Sequence, residues 1–257
     1  AEALYRYTSA TVVARFDELV SPANFERLWD GSATWLDPYN PSDIICRRSS
    51  GIDIYNLATD TKTKYPDYGM HMFRRSFATK DVIGLANTRL INLGENAKRV
   101  VEATVPPEFY THPQSIQHFH CSYSGLIYFT VKTSNEVWSM NNDGTDAQLL
   151  FTLNGTATSL ATDPHDRTTL VYGDGDDLMY RNLSTGASRV VLAGAKMSLN
   201  NGIVVLKDFI YTTYRWQAEG YLRVHIDGVT GLDQGPRGWG ISTLVDTVNQ
   251  KVYQLDF

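Results

Sequence analysis

Apolar and polar residues alternate singly along short stretches of this chain, and the stretches recur. EVWSMNNDGTDAQLL at 136–150 and DLMYRNLSTGASRVV at 177–191 share one plan: an alternating run, a polar turn containing Gly, then a second short apolar run. Period-two alternation marks half-buried strands, and Gly, Asn, Asp and Ser between them mark a hairpin. The unit returns at 51–65, at 88–103 and, more loosely, at 220–232. In front of each lies another hairpin, as at 116–131, 157–172 and 202–214. Four strands about every 40–45 residues is the spacing of a propeller blade.

The two ends complement each other. Residues 240–257 read as the first two strands of a blade and then stop. Residues 3–16 read as the last two, with Leu4-Tyr5-Arg6 echoing Met179-Tyr180-Arg181. A blade closed in this way removes the free edges of an open array. The expectation is an all-β, six-bladed β-propeller filling residues 1–257 as one domain, its last blade formed by 237–257 plus 1–19. Only 22–29 reads as a short helical turn. A pair of β-sandwiches would leave the matching half-blades at the ends unexplained.

Composition agrees with a packed β fold. Of the 257 residues 42% are hydrophobic and 20% charged, enough to bury a core. The net charge of −5 argues against a nucleic-acid or anionic-membrane partner, which would need a concentrated basic face. No stretch reaches the ~20 apolar residues of a membrane-spanning helix. The opening Ala1-Glu2-Ala3 lacks Met and reads as a mature form; with sequons at Asn154 and Asn182 it favours a glycosylated protein, secreted or in the secretory-pathway lumen. Cys46 and Cys121 are the two cysteines, equally consistent with one disulfide or two buried thiols.

In a propeller the loops entering the inner strands surround a central channel. Those expected here are 20–33, 66–72, 106–120, 194–201 and 234–240, joined on the same face by 132–136, 174–177, 214–219 and both chain ends. Together they gather Trp29, Met70, His71, Tyr110, Trp216 and Trp239 as candidate walls of a small-molecule pocket. His118 and His120 share one face of a strand and open a second possibility, metal binding or proton transfer. A metal site needs a further ligand, and no carboxylate is spaced to supply it. The run Asp174-Gly175-Asp176-Asp177 lacks the following spacing and closing Glu of an EF-hand and reads as a tight turn.

SLNNGIVVLKDFIYTTY at 198–214 is similar to the Asn-Gly blade opening of the gluconolactonase, senescence-marker-protein and strictosidine synthase-like superfamily. GYLRVHIDGVTG at 220–231 continues the likeness, which covers about one and a half blades. The resemblance implies a six-bladed propeller with a divalent cation held by Glu, Asn and Asp at the channel mouth. Asn201 matches the Asn. Gly31 stands where the Glu belongs, with Asp30 one residue away, and Trp239 replaces the expected Asp. A hard cation needs about six oxygens, so no metal or other cofactor is expected.

A channel that has exchanged ligands for Trp and His suits a flat, apolar organic molecule. The resemblance extends to fungal hetero-Diels–Alderases of tropolone–sesquiterpenoid biosynthesis, propellers that would hold two unsaturated partners in a near-attack pose. His118, His120, Arg237, Tyr214 and Asn201 are the candidate donors to a polarised oxygen, between walls that include Trp29, Trp216 and Trp239. The expected function is a metal-independent enzyme acting on an apolar unsaturated small molecule. The alternatives are a metal-dependent lactonase or esterase and a non-catalytic propeller, lectin-like or an interaction scaffold. A lectin would repeat near-identical pockets from blade to blade.

Overall fold

The computed structural model describes the backbone of residues 3–7, 25–30, 32–36, 43–48, 51–56, 59, 61–66, 69–76, 78–79, 81–95, 108–163, 166, 168–195, 203–206, 208–216, 218–230, 233–237, 242–246 and 251–255, with side chains within 53–61, 69–94, 110–195 and 203–230. These residues hold strands and turns and no helix.

Strand β1 (Ala3–Tyr7) pairs antiparallel with β2 (Phe25–Asp30). Five four-stranded sheets follow, each an antiparallel meander in chain order. The first holds β3 (Ser32–Leu36), β4 (Asp43–Arg48), β5 (Gly51–Asn56) and β6 (Thr61–Pro66). The second holds β7 (Met72–Arg75), β8 (Asp81–Ala86), β9 (Arg89–Glu95) and β10 (Glu108–Thr111). The third holds β11 (Ile116–Cys121), β12 (Leu126–Val131), β13 (Glu136–Asn141) and β14 (Gln148–Thr152). The fourth holds β15 (Ala157–Thr162), β16 (Thr169–Asp174), β17 (Asp177–Asn182) and β18 (Ser188–Leu192). The fifth holds β19 (Val204–Leu206), β20 (Phe209–Trp216), β21 (Ala218–His225) and β22 (Asp233–Arg237). Last, β23 (Ser242–Asp246) pairs with β24 (Lys251–Leu255).

First strands of successive sheets lie side by side: β3 against β7, β7 against β11, β11 against β15 and β15 against β19. The sheets are therefore blades of a β-propeller, with first strands innermost. Side-chain alternation divides each blade between two cores. In β12, Phe129 joins Leu85, Leu90 and Phe119 on one side, while neighbouring Tyr128 joins Leu160, Leu170 and Tyr172 on the other. In β16, Leu170 faces back and Val171 faces forward to Val205, Ile210 and Val224. Full burial of such a side chain contributes about 1.5–3 kcal/mol, and the period of two sends this to both faces of every blade.

The hairpins between third and fourth strands reuse one turn chemistry. The Asn56 side-chain oxygen accepts from the Thr59 N–H at 2.9 Å. That of Asn182 accepts from Ser184 and Thr185 at 3.0 and 2.9 Å, and Asp227 Oδ1 accepts from Val229 and Thr230, both at 2.8 Å. These Asx turns are the polar punctuation visible in the repeat. In the last, Gly228 has φ of 77°, and a Cβ there would run into the Val191 carbonyl.

Five expectations are corrected. Phe25–Asp30 is a strand, not part of a helical turn, because pairing with β1 satisfies its backbone along its length. That makes β2 the second N-terminal strand, beyond residue 19. Within 106–120, expected as a loop, Glu108–Thr111 is the outermost strand of the second sheet. Residues 214–216 and 218–219 extend the β20–β21 ladder instead of forming a loop, and 234–237 belong to β22.

Candidate functional site

The chemistry gathers on β7, β11 and β15, three neighbouring inner strands. In β11 a bulge interrupts the register: Ile116 pairs with Val131 and His118 with Thr130, leaving Gln117 as the extra residue. Ile116, Phe119 and Cys121 consequently share the core between the second and third sheets. His118 and His120 turn together to the opposite face, toward β15.

His120 is locked there. Its Nε2 accepts the Thr162 backbone N–H at 3.2 Å and lies 2.9 Å from the Thr162 hydroxyl. An N–H donor requires a lone pair on Nε2, so the ring is neutral with its proton on Nδ1. Burial and the Arg74 charge push its pKa down to about 3.

His118 is 7% exposed, and its Nε2 is buried with no hydrogen-bond partner. Burial, then the charges of Arg74 and His71, push its pKa down to about 4, against an opposing contact with the Ala157 backbone. At neutral pH it is an uncharged imidazole with an unused nitrogen. Leaving such a group buried costs about 1–3 kcal/mol, so its position calls for an explanation.

Arg74 was not among the expected site residues. On β7, Phe73 fills the core at 1% exposure and alternation sends Arg74 the other way. Its side chain is partly exposed, and the guanidinium donates to the Phe73 carbonyl at 2.7 Å. Burial lowers its pKa, and no carboxylate among the described residues pairs with it. The nearby Cys121 is a free, buried thiol, which burial pushes up to about 12 against the Arg74 charge, so it supplies no anion. A basic residue in an innermost strand was the available signal; in sequence it reads as an ordinary exposed charge.

The remaining expected residues scatter. His71 is exposed just before β7 and acts electrostatically on His118. Met70 is 1% exposed and packs over Gly84, where a Cβ would strike its sulfur, so it is core and not pocket wall. Tyr110 stands on outer strand β10 with its ring 5.4 Å from Phe129, and His112 packs edge-on to Phe129 and Trp138. Both belong to the packing between blades rather than to a loop at an inner strand. Trp29, Tyr214, Trp216 and Arg237 lie on described strands, but their side chains are outside the described residues, as is that of Cys46. Asn201 and Trp239 are outside them altogether. Asn154 is exposed, and Asn182 is the turn residue already described. Asp174, which pairs with Asp177 at the tight turn expected at 174–177, accepts the Asn154 and Gly155 N–H groups from the loop before β15.

A hard cation does not fit what is described of this face. Its polar groups are an arginine and two imidazoles, whereas calcium-type sites need several anionic oxygens. Among the described residues no three His, Cys, Asp or Glu side chains are grouped as ligands.

No family model and no curated protein matches the sequence. Solved structures do match in shape. A chain of a nidogen/laminin complex aligns at a TM-score of 0.61 and 12% identity, covering 83% of this chain and 89% of that one. Streptogramin B lyase aligns at 0.60 and 13% identity over 83% of this chain and 72% of its own. Regucalcin of Agrobacterium tumefaciens strain C58, described as calcium-binding, aligns at 0.60 and 16% over 83% and 77%. At such identities the likeness is one of fold: this chain is a β-propeller, an architecture found in enzymes and in binding proteins alike.

Proposed function

We propose that this protein binds a small organic molecule at the inner-strand face of β7, β11 and β15 and acts on it by proton transfer through His118. The observation that carries the reading is the buried, unpartnered Nε2 of His118. A neutral imidazole with an open lone pair takes a proton from a bound group and returns it, and negative charge developing on that molecule offsets the Arg74 charge that otherwise holds its basicity down. Arg74, on the neighbouring inner strand and acting electrostatically on His118, would stabilise an oxygen bearing negative charge in the bound molecule. For a carbonyl compound the C–H proton next to the carbonyl passes to Nε2, the electron pair moves to oxygen, and reprotonation restores the compound.

The test works across a panel of candidate substrates. Carbonyl compounds are incubated with the protein in heavy water, and deuterium entering next to the carbonyl is followed by NMR. Exchange is expected with some of them, lost in His118→Gln and kept in His112→Gln. Exchange unchanged in His118→Gln overturns the reading.

A second reading, cycloaddition of an unsaturated ligand, is favoured by one observation: Arg74 can donate to a carbonyl or quinone-methide oxygen and polarise it. His120 Nε2 is an acceptor, and of the other expected donors Tyr214, Arg237 and Asn201 have side chains outside the described residues. Cycloaddition needs no base and would survive His118→Gln. A lectin-like propeller finds little support, since β7, β11 and β15 carry different polar groups. Metal-dependent hydrolysis finds as little in the cationic character of the face.

We also infer that β23–β24 and β1–β2 together complete a sixth blade and close 1–257 as one domain. In support, β23 lies against both β20 and β3, continuing the ring of inner strands. Secretion with an N-glycan at exposed Asn154 belongs to the same proposal.

A further inference from the structure

The link between the third and fourth blades carries a chemically fragile pair. Asn154-Gly155 lies between β14, which ends at Thr152, and β15, which begins at Ala157, and Asn154 is exposed. In such a pair the backbone nitrogen of the glycine attacks the side-chain carbonyl carbon of the asparagine, and no Cβ hinders the approach. The new C–N bond closes a five-membered succinimide, and the side-chain nitrogen leaves as ammonia with the proton given up by the glycine nitrogen. Water then opens the ring at either carbonyl, leaving aspartate or isoaspartate. A larger residue in place of the glycine would slow this reaction, but the fold does not admit one. A Cβ on Gly155 would stand 2.9 Å from both the Cα and the nitrogen of Gly175, backbone atoms that cannot swing aside as a side chain would.

One carboxylate holds the groups the reaction uses. Asp174 Oδ1 accepts the Gly155 N–H at 2.5 Å, and Oδ2 accepts the Asn154 N–H at 3.1 Å and the Asn154 side-chain amide at 3.4 Å. Attack requires the Gly155 nitrogen to give up its proton, and a hydrogen bond to a negative charge makes that proton harder to lose. A carboxylate is itself far too weak a base to take a proton from an amide. The same grip, with the Gly175 N–H donating to the Thr156 carbonyl at 3.0 Å, fixes the link so that nitrogen and side-chain carbon are held from swinging together. We propose that Asn154 is a latent modification site, a succinimide-forming asparagine that Asp174 keeps unreactive in the folded protein. It becomes reactive wherever the 174–177 turn releases the link, and the inference stands apart from the proton-transfer reading.

The full chain is made in bacteria, so that Asn154 carries no glycan, and incubated in mildly alkaline buffer with and without guanidinium chloride. Peptide mass spectrometry follows conversion of Asn154 to aspartate and isoaspartate. Conversion in the native protein is expected to be at least about tenfold slower than in the unfolded chain, ~1.4 kcal/mol of added barrier. Asp174→Ala, folded by circular dichroism, is expected to recover most of that difference. Asp176→Ala, at an exposed position in the same turn, is expected to recover none. Asp174→Asn keeps an acceptor for the N–H and loses the charge; its rate is expected to lie between, and it serves alone if the Ala variant does not fold. Amide hydrogen exchange reads the clamp with no substitution at all, and the Gly155 N–H is expected to be protected. Equal conversion in native and unfolded protein overturns the proposal. So does a Gly155 amide that exchanges at the unprotected rate, or a folded Asp174 variant that converts no faster than the wild type.

Discussion

Replacing Arg74 with Met should make the protein more stable while destroying its site. The substitution removes a partly desolvated cation that no carboxylate among the described residues pairs with, and leaves an apolar chain of similar length next in sequence to core residue Phe73. Exchanging buried charges for packed hydrophobes stabilises by about 1–4 kcal/mol, and Arg74, partly open to solvent, belongs in the lower half of that range. The same change acts on His118. The fall from 6.5 to about 4 represents roughly 3 kcal/mol of preference for the neutral ring. Burial is the largest cause and remains, whereas the Arg74 charge, the second cause, disappears. The His118 pKa should therefore rise without regaining 6.5. Urea unfolding at neutral pH reads the first effect and a histidine NMR titration the second. A lower urea midpoint, or a His118 pKa unmoved or lowered, would refute the picture of an uncompensated charge pressing on that imidazole.

Acid should destabilise the native protein well before carboxylates titrate in bulk. His118 and His120 have folded pKa values of about 4 and 3, against about 6.5 unfolded, so the unfolded chain binds more protons between these limits. The stability they contribute is full above about pH 6.5 and falls as pH drops through 4 and 3; a urea midpoint unchanged between about pH 7 and pH 4.5 would contradict this. Gly84→Ala forces a methyl onto the Met70 sulfur and should cost about 1–3 kcal/mol, partly recovered in the Met70→Ala background. Strict additivity in that double-mutant cycle would rule out the collision. Phe119→Ala, emptying a site 1% exposed between the second and third blades, should cost about 3–5 kcal/mol in thermal or urea unfolding.

The propeller was legible because its signals are local. The repeats at 136–150 and 177–191 are β13–β14 and β17–β18, and the Asn, Asp, Ser and Gly between the strands perform the Asx-turn chemistry their spacing implied. What pairing at a distance decides was not legible. Phe25–Asp30 becomes a strand because Ala3–Tyr7 lies beside it, and Glu108–Thr111 because β9 offers an edge. The site was half legible. Two histidines on one face of β11 follow from period two, but Arg74 in MFRR carries no mark of burial, and Tyr110 and Met70 are ordinary pocket residues in sequence that packing claims for the core.

The bulge at Gln117 ties the fold to the site. With strict alternation Ile116, His118 and His120 would share one face, and both imidazoles would enter the hydrophobic core that Ile116 occupies with Phe119 and Cys121. One extra residue resets the alternation, so the apolar side chains keep that core and the imidazoles face β15. The neighbouring inner strand has simpler solutions for its polar groups: Ser159 accepts the Ile203 N–H at 3.2 Å, and Thr162 serves His120. His118 has no such protein partner for Nε2, although a small hydroxyl in its place would leave far less to satisfy. Among the described residues His118 Nε2 has no hydrogen-bond partner, and the charge of Arg74, on the neighbouring inner strand, further disfavours its protonation. Strain that packing does not require is retained where binding uses it.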